Sequence, residues 1–533
     1  MSRYAAPTRL AEANSFELSS IDGKAGPADA LTSIAFSSPD DMYSMSHPGR
    51  SPLEAVHRSV AASGKDSVCR RYCEQIAHAT ATSANVDSTG LVRLGGTRYR
   101  YVEGSLNGTI ARDDGSTGSY SVGFVLYYPT ESDHVNGAGV VDYPNSVYYH
   151  VIHPLYGAPG GIPSVQREEF TFQFTLATTE DYLFQEGYTY MSIQWNKVVT
   201  DLFGAKVPND GLAHNRLCFG TIERGSDAWE IMRDAGRFLK NPTLTGLPAG
   251  ANQPMAVGSV IGTGYSQTGA LANEFMIRGE NNKGGGPRPF DAFLVQFMGA
   301  VCWQRTDSGP FYGGGVACPR VPTNADRGGA VGMTIASESD MLVRRGFFSR
   351  GIAEAGWVQY ELAGFPHLTK PIFDVSGEFL AVNQTPVDAR PFCRAAFRNI
   401  KRWLEGTPPP AGRYIDGALR GTTFVITRDE EGNATGGVRA PHMPSIDAHG
   451  NVAGAPLGSY NGVDNTDPAN VFRLLAGVFT PFTQSQLDAR YPASDPNDIK
   501  HRVKRAARQL FEDDLILRQD LDGYKDHPHG PTD

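Results

Sequence analysis

The segment Gly262–Gly269, GTGYSQTG, has the residue types and spacing for nucleophilic catalysis. It follows the apolar run MAVGSVI (255–261) and opens a helical pattern, SQTGALANEFM (266–276). A serine at the tip of so tight a strand-to-helix turn projects from a strained backbone. Its neighbours must be small, because side chains there would strike the strand and the helix. Gly264 supplies the small residue two before Ser266; the usual glycine two after is replaced by Thr268, with Gly269 one further on. A dinucleotide-binding turn is the rival, but Gln267 stands where the third glycine of G-x-G-x-x-G belongs. A serine that merely caps a helix is the plainer alternative.

A serine hydroxyl needs a base to take its proton, and that base needs an acid to orient it. The strand-like run VGMTIA (331–336) ends in Ser337-Glu338-Ser339-Asp340, and WVQYELA (357–363) ends in Gly364-Phe365-Pro366-His367. Asp340 lies 74 residues after Ser266, and His367 lies 27 after Asp340, which leaves room for one helix between acid and base. This is the order serine, acid, histidine of strand-end triads on a parallel sheet. Asp340, nearer the loop, is the expected acid. Glu338 shares its face if the strand runs that far, and competes for the role.

An oxyanion at Ser266 expects two N–H donors. One is the Gln267 amide at the start of the helix, where the helix dipole also favours negative charge. The other should come from the loop after GAGVVDYP (137–144); Pro144 has no N–H, so Asn145 is the expected donor. Tyr143, Tyr265, Trp195 and Trp303 sit near these turns and are candidates to line an apolar pocket. No metal or cofactor is expected. His150 and His153 lack the glutamate and spacing of a zinc-protease helix, and the triple glycines 284–286 and 313–315 lack the Lys-Ser/Thr of a phosphate loop.

The elements that must position these groups are legible as alternating patterns. Residues 90–130 alternate as an antiparallel meander turning at Asp113-Asp114-Gly115. Short apolar runs then recur at 137–144, 188–195, 255–266, 290–300, 331–340 and 357–367, with amphipathic stretches such as 227–241 and 266–279 between them. Buried strands separated by helices mean a mostly parallel sheet covered on both faces, and the antiparallel entry is the order of an α/β-hydrolase sheet, though strand count alone does not separate that from a dinucleotide-binding fold. Residues 1–90 read as an N-terminal extension with one helix (52–79), and 91–367 as the core. Within the core, 302–329 is a lid-like, Gly/Pro-rich insertion, and 368–533 is a C-terminal accessory or cap region.

Composition sets the outer limits. With 533 residues, 48 basic and 57 acidic side chains, the net charge is −9, too mild and of the wrong sign for a nucleic-acid surface. The apolar run 292–303 is too short to span a membrane, which takes about 20 residues. The first thirty residues carry Glu12, Glu17 and Asp22 and no apolar core of a signal peptide, so a cytoplasmic protein is expected. Six cysteines are too few for a disulfide scaffold. Cys302 and Cys318 bracket a Gly-rich loop and would pair under oxidising conditions; two reduced thiols are the simpler expectation.

The pieces VNGAGVVDYPNS (135–146), YTYMSIQWN (188–196), GTGYSQTG, ASESD and AGFPH together resemble a long α/β-hydrolase-domain family of bacteria and fungi. The later segments DEEGNATGGVRAPHMPSID (429–447) and VFTPFTQSQLDARYP (478–492) are similar to that family's ending. The resemblance spans about residues 95–525 and implies a serine esterase whose triad falls on Ser266, Asp340 and His367. The expected activity is hydrolysis of a carboxylic ester or lactone through an acyl-enzyme. Partners in nucleic acid or membrane are not expected, and the oligomeric state is left open. Amide hydrolysis, acyl transfer or a lyase reaction on the same triad, or a binding protein with an idle serine, are the alternatives.

Overall fold

The computed structural model describes residues 81–526 except 113, 144–146, 151–168, 172–173, 196–199, 202–219, 304–314, 319, 321, 344–345, 352–355, 370–384, 422, 447–451, 465–470 and 492–497. The helix expected over 52–79 lies outside the described residues.

Among the described residues the central sheet has eleven strands. They are β1 (Ala81–Leu94), β2 (Thr97–Ala111), β3 (Thr117–Pro129), β4 (Ala138–Asp142), β5 (Thr189–Ile193), β6 (Gly220–Ile222), β7 (Leu244–Thr245), β8 (Ser259–Tyr265), β9 (Ala292–Gln296), β10 (Val331–Ser337) and β11 (Trp357–Leu362). Their spatial order is β7-β1-β2-β3-β5-β4-β8-β9-β10-β11, with β6 beside β3. β1, β2 and β3 form an antiparallel meander, and β3 pairs antiparallel with β5. From β5 through β4, β8, β9 and β10 to β11 every pairing is parallel. The sheet begins at Ala81, ten residues inside the expected extension. Its first ten residues, ATSANVDSTG, are mostly polar, and of the side chains described there Ala84 alone is buried, so no apolar alternation marks it.

β4, β5 and β9 are buried at every position, the pattern of strands covered on both faces. Helices α1 (Phe174–Thr179), α2 (Ala228–Lys240), α3 (Gln267–Ile277), α4 (Glu338–Val343), α5 (Arg390–Leu404), α6 (Asp498–Glu512) and α7 (Arg518–Asp526) supply that cover. On one face Val260, Phe293 and Val295 pack with Ile231, Phe238, Leu271 and Phe275 of α2 and α3. On the other, Ile261, Leu294 and Ile335 pack with Phe392, Phe397, Leu510 and Leu521 of α5, α6 and α7. Each such side chain contributes about 1.5–3 kcal/mol when fully buried, so both layers fix the sheet.

The region after 368 therefore shares one core with the sheet: Val438, Met443 and Tyr460 belong to the same cluster as Ile261 and Leu294. The chain also returns to β11, where Leu362 bridges Val438 and Tyr360 bridges Arg413. The segment 302–329 is only in part an insertion. Cys302 and Cys318 form a disulfide, in place of the two thiols expected from the sequence. The short strands Val301–Trp303 and Gly315–Ala317 pair antiparallel with Cys302 opposite Val316, and Cys318, two residues on, comes within 4.8 Å of Cys302 between Cα atoms. Arg327 is fully buried, its guanidinium bonded to the carbonyls of Pro322 and Ala330 and lying 5.1 Å over the Trp357 ring. That end of the segment is fixed against the sheet.

Candidate active site

β8 ends at Tyr265 and α3 begins at Gln267, so one residue makes the whole turn. Ser266 has φ 56° and ψ −118°, a region that L-residues avoid and that a packed surrounding must hold. The packing is visible at Gly264: a Cβ there would lie 2.3 Å from the Thr268 carbonyl oxygen and 2.9 Å from the Gly269 nitrogen. At Gly269 a Cβ would lie 2.9 Å from the Met298 Cβ. The buried Thr268 has a function of its own, since its Oγ1 accepts from the Tyr265 N–H at 3.0 Å and donates to the Tyr265 carbonyl at 3.1 Å. The threonine thus braces the turn, and the glycine needed for close approach to β9 sits one position later. The Ser266 N–H donates to the Gln296 carbonyl at 3.0 Å, tying the elbow to the neighbouring strand.

Ser266 and Gln267 are half-buried, whereas His367 and Asp340 are 1 % and 0 % exposed. His367 Nε2 lies 2.7 Å from Ser266 Oγ, and Nδ1 lies 2.7 Å from Asp340 Oδ1. An ionised carboxylate only accepts, so Nδ1 carries the hydrogen and the Nε2 lone pair faces the serine hydroxyl. The three groups, distant in the sequence, stand in one line at the C-terminal ends of β8, β10 and β11.

Asp340 is set by its hydrogen bonds to Ser337. Its Oδ2 accepts from the Ser337 N–H at 2.8 Å and the Ser337 hydroxyl at 2.7 Å, and its own N–H donates to Ser337 Oγ at 3.2 Å. This reciprocal pattern, Ser-x-x-Asp at the start of α4, is the capping-box arrangement, and the spacing in SESD signals it. Because α4 already begins at Glu338, the strand alternation that placed Glu338 and Asp340 on one face does not apply. Glu338 bonds instead to Arg428 at 2.5 Å and to the Gly364 N–H at 2.7 Å. It is not the histidine's partner.

The aromatic residues expected in a pocket are core side chains. Tyr143, Tyr265 and Trp195 are each 1 % exposed. Tyr143 packs edge-on to Phe290 on the α2/α3 face, in the same cluster as Trp195. Tyr265 stacks on Phe297 with centroids 4.8 Å apart, and its hydroxyl donates to the His367 carbonyl. It supports the histidine from below. Trp303 lies in the strand Val301–Trp303, and its side chain is outside the described residues, as is Asn145. Among the described residues no group of three or more His, Cys, Asp or Glu side chains is arranged to hold a metal ion. None of the helices there is long and apolar enough to cross a membrane.

Beneath the site lies a buried polar network. Asp142, at the end of β4, accepts from the Tyr190 hydroxyl at 2.6 Å and from Thr175 at 3.0 Å. Gln296 bonds Thr263 at 2.9 Å and Thr175 at 3.2 Å, and Thr178 donates back to it at 3.2 Å. Four strands and α1 are thereby joined under the elbow. Burial pushes the Asp142 carboxyl up to about 6, against the pull of its hydrogen bonds to Tyr190 and Thr175. Its folded value exceeds the usual unfolded value of about 3.9. The stability it contributes is therefore complete below about pH 4 and is lost as pH rises through 6. Asp142→Asn removes that loss, since one hydroxyl keeps donating to the amide oxygen and the other turns to accept from the NH₂. Urea unfolding between pH 4 and 7.5 is expected to show the variant gaining about 2–3 kcal/mol on the wild type as pH rises. A pH-independent difference would show that the carboxyl titrates normally.

A parallel sheet entered through an antiparallel meander, with a serine on a strained strand-to-helix elbow and an imidazole at its hydroxyl, is the architecture of the α/β-hydrolases. The comparison of families agrees. This chain belongs to the family described as alpha/beta hydrolase domain, whose model matches residues 166–525. Curated proteins give no match. Solved structures with a similar arrangement include a candidate acetyl xylan esterase from Bacteroides fragilis, with 9 % identity over 55 % of this chain and 73 % of that one and a TM-score of 0.29. A candidate dienelactone hydrolase from Klebsiella pneumoniae has 10 % identity over 49 % and 85 %, TM-score 0.26. An arylesterase has 11 % identity over 66 % and 96 %, TM-score 0.27. Likenesses this distant say nothing of the substrate.

Proposed function

We propose that this chain is a serine hydrolase that cleaves a carboxylic ester or a lactone through an acyl-enzyme. The observation that supports it best is the pair of 2.7 Å contacts that His367 makes, one to the Ser266 hydroxyl and one to the Asp340 carboxylate. His367 accepts the hydroxyl proton as Ser266 Oγ bonds to the substrate carbonyl carbon, and Asp340 stabilises the imidazolium that forms. The tetrahedral oxyanion is held by the Gln267 N–H at the N-terminus of α3 and by a second donor, Asn145. His367 returns its proton to the leaving alcohol oxygen. A water then attacks the acyl carbon and gives a proton to the same nitrogen, and His367 passes that proton to Ser266 Oγ as the bond from Oγ to the acyl carbon breaks and the acid leaves.

A fluorophosphonate probe tests this reading, because it phosphonylates a serine only where a base activates the hydroxyl. Intact wild-type protein is expected to gain one label, which peptide mapping places on Ser266. A folded protein that takes no label, or carries it elsewhere, would sink the proposal. Nitrophenyl esters of increasing acyl length, assayed beside γ- and δ-lactones, then separate the two substrate classes.

A further inference from the structure

The loop that carries His367 is enclosed by the region after residue 368. The Ala363 N–H donates to the Val438 carbonyl at 2.9 Å, and the Leu368 N–H to the Leu475 carbonyl at 2.9 Å. Gly364, at φ 75°, touches Met443 and Tyr460: a Cβ there would lie 2.3 Å from the Met443 Cε and 3.1 Å from the Tyr460 Cβ. The next turn of the loop abuts Gly462, where a Cβ would lie 2.5 Å from the Phe365 carbonyl oxygen and 2.6 Å from the Glu338 Cβ.

At the centre of this enclosure is Glu338, fully buried. Its backbone N–H donates to the Phe365 carbonyl at 3.0 Å, and its Oε2 accepts from the Gly364 N–H at 2.7 Å. Its Oε1 accepts from Arg428 at 2.5 Å and from the Gly462 N–H at 3.3 Å. Arg428 also bonds Asn461 Oδ1 at 3.2 Å and the Gly432 carbonyl at 3.0 Å. One carboxylate thus joins three segments: the start of the acid's helix, the histidine loop, and the paired segments around 428 and 461. A charge this deep is retained only when fully hydrogen-bonded, and every partner here is a donor.

We infer that Glu338, completed by Arg428, is a positioning clamp that fixes the His367 loop, so that the C-terminal region holds the histidine in place. The inference rests on the proposed triad for its kinetic readout. Glutamine at 338 is nearly isosteric but carries two N–H groups. Either orientation of the amide sets an N–H against a donor, the Gly364 amide on one side or Arg428 and Gly462 on the other. The loop must shift, and near-attack geometry tolerates shifts of well under 1 Å.

The test is Glu338→Gln, Arg428→Gln and the double variant in the full chain, each with its melting temperature measured beside kcat and KM. E338Q is expected to lower kcat by about 10–100-fold with KM within about twofold, and R428Q by about 3–10-fold. The double variant should match E338Q, because both remove the same clamp. A purely structural role would lower the melting temperature and leave kcat per folded molecule unchanged. A folded E338Q with wild-type kcat, or losses that multiply, overturns the clamp. If E338Q does not fold, the half-buried Arg428 decides alone: full kcat in R428Q rejects the inference. The low-field proton resonance of His367 Nδ1 gives a readout that does not need activity. If wild type shows no Ser266-dependent hydrolysis, the triad reading has failed. The clamp then still stands if this resonance shifts or broadens in the variants, and falls if it does not.

Discussion

Replacing Ser266 with alanine is expected to lower kcat by about 10⁴–10⁶-fold on any ester the wild type turns over, with KM changed less than threefold. The side chain lost is small and half-buried, and the strain at this position belongs to the backbone, which alanine inherits. Fold and binding therefore survive while the covalent route disappears. His367, Asp340 and the Gln267 amide remain in place, so the variant keeps whatever rate substrate binding and an oxyanion site supply on their own, a residue of about 10³–10⁴ over water in well-studied triads. Two measurements check it: steady-state kinetics on a reactive nitrophenyl ester and stoichiometric phosphonylation. A variant that retains more than about a hundredth of the wild-type kcat would mean that another group attacks the carbonyl.

Much of this site was legible because its signals are local. The strained elbow announces itself as glycine-serine at a strand-to-helix junction, and the acid and histidine each follow an apolar run that reads as a buried strand. Parallel strands end at one edge, so residues after successive strands converge there whatever the distance between them along the chain. Thr268 weakens the elbow as a pattern, yet in the fold it braces the turn from a position where the motif usually has glycine. That compensation uses a side-chain hydroxyl and leaves no periodic trace.

What was not legible depends on contacts between distant segments. Tyr143, Tyr265 and Trp195 sit beside loop-like sequence, and only the packing of helices on both faces decides that they are core. Glu338 and Asp340 are two apart, and the choice between them turned on whether strand or helix continued past Ser337. The capping bonds of Ser337 settle that locally, whereas Arg428, the side chain that pairs with Glu338, lies 90 residues further on. Likewise the polar start of β1 carries no apolar alternation, since its place in the sheet comes from pairing with β2 across the Gly95-Gly96 turn.

The choice of acid has the sharpest consequence. In Asp340→Asn, kcat is expected to fall by about 10⁴-fold with KM and melting temperature little changed. The direction follows from Ser337. Its backbone N–H is a fixed donor 2.8 Å from Asp340 Oδ2, so an amide at 340 must turn its oxygen there and its NH₂ toward His367 Nδ1. That nitrogen then has to accept, which moves the ring hydrogen to Nε2. Nε2 now presents a donor to Ser266 Oγ, and the base is gone although every heavy atom is in place. Rates of phosphonylation should fall by a similar factor, because that reaction needs the same proton transfer. Glu338→Gln is expected to cost only about 10–100-fold, since it displaces the imidazole without changing its tautomer. If the two losses were reversed, Glu338 would be the acid and Asp340 a helix cap, and the line of three groups at the sheet edge would have been misread.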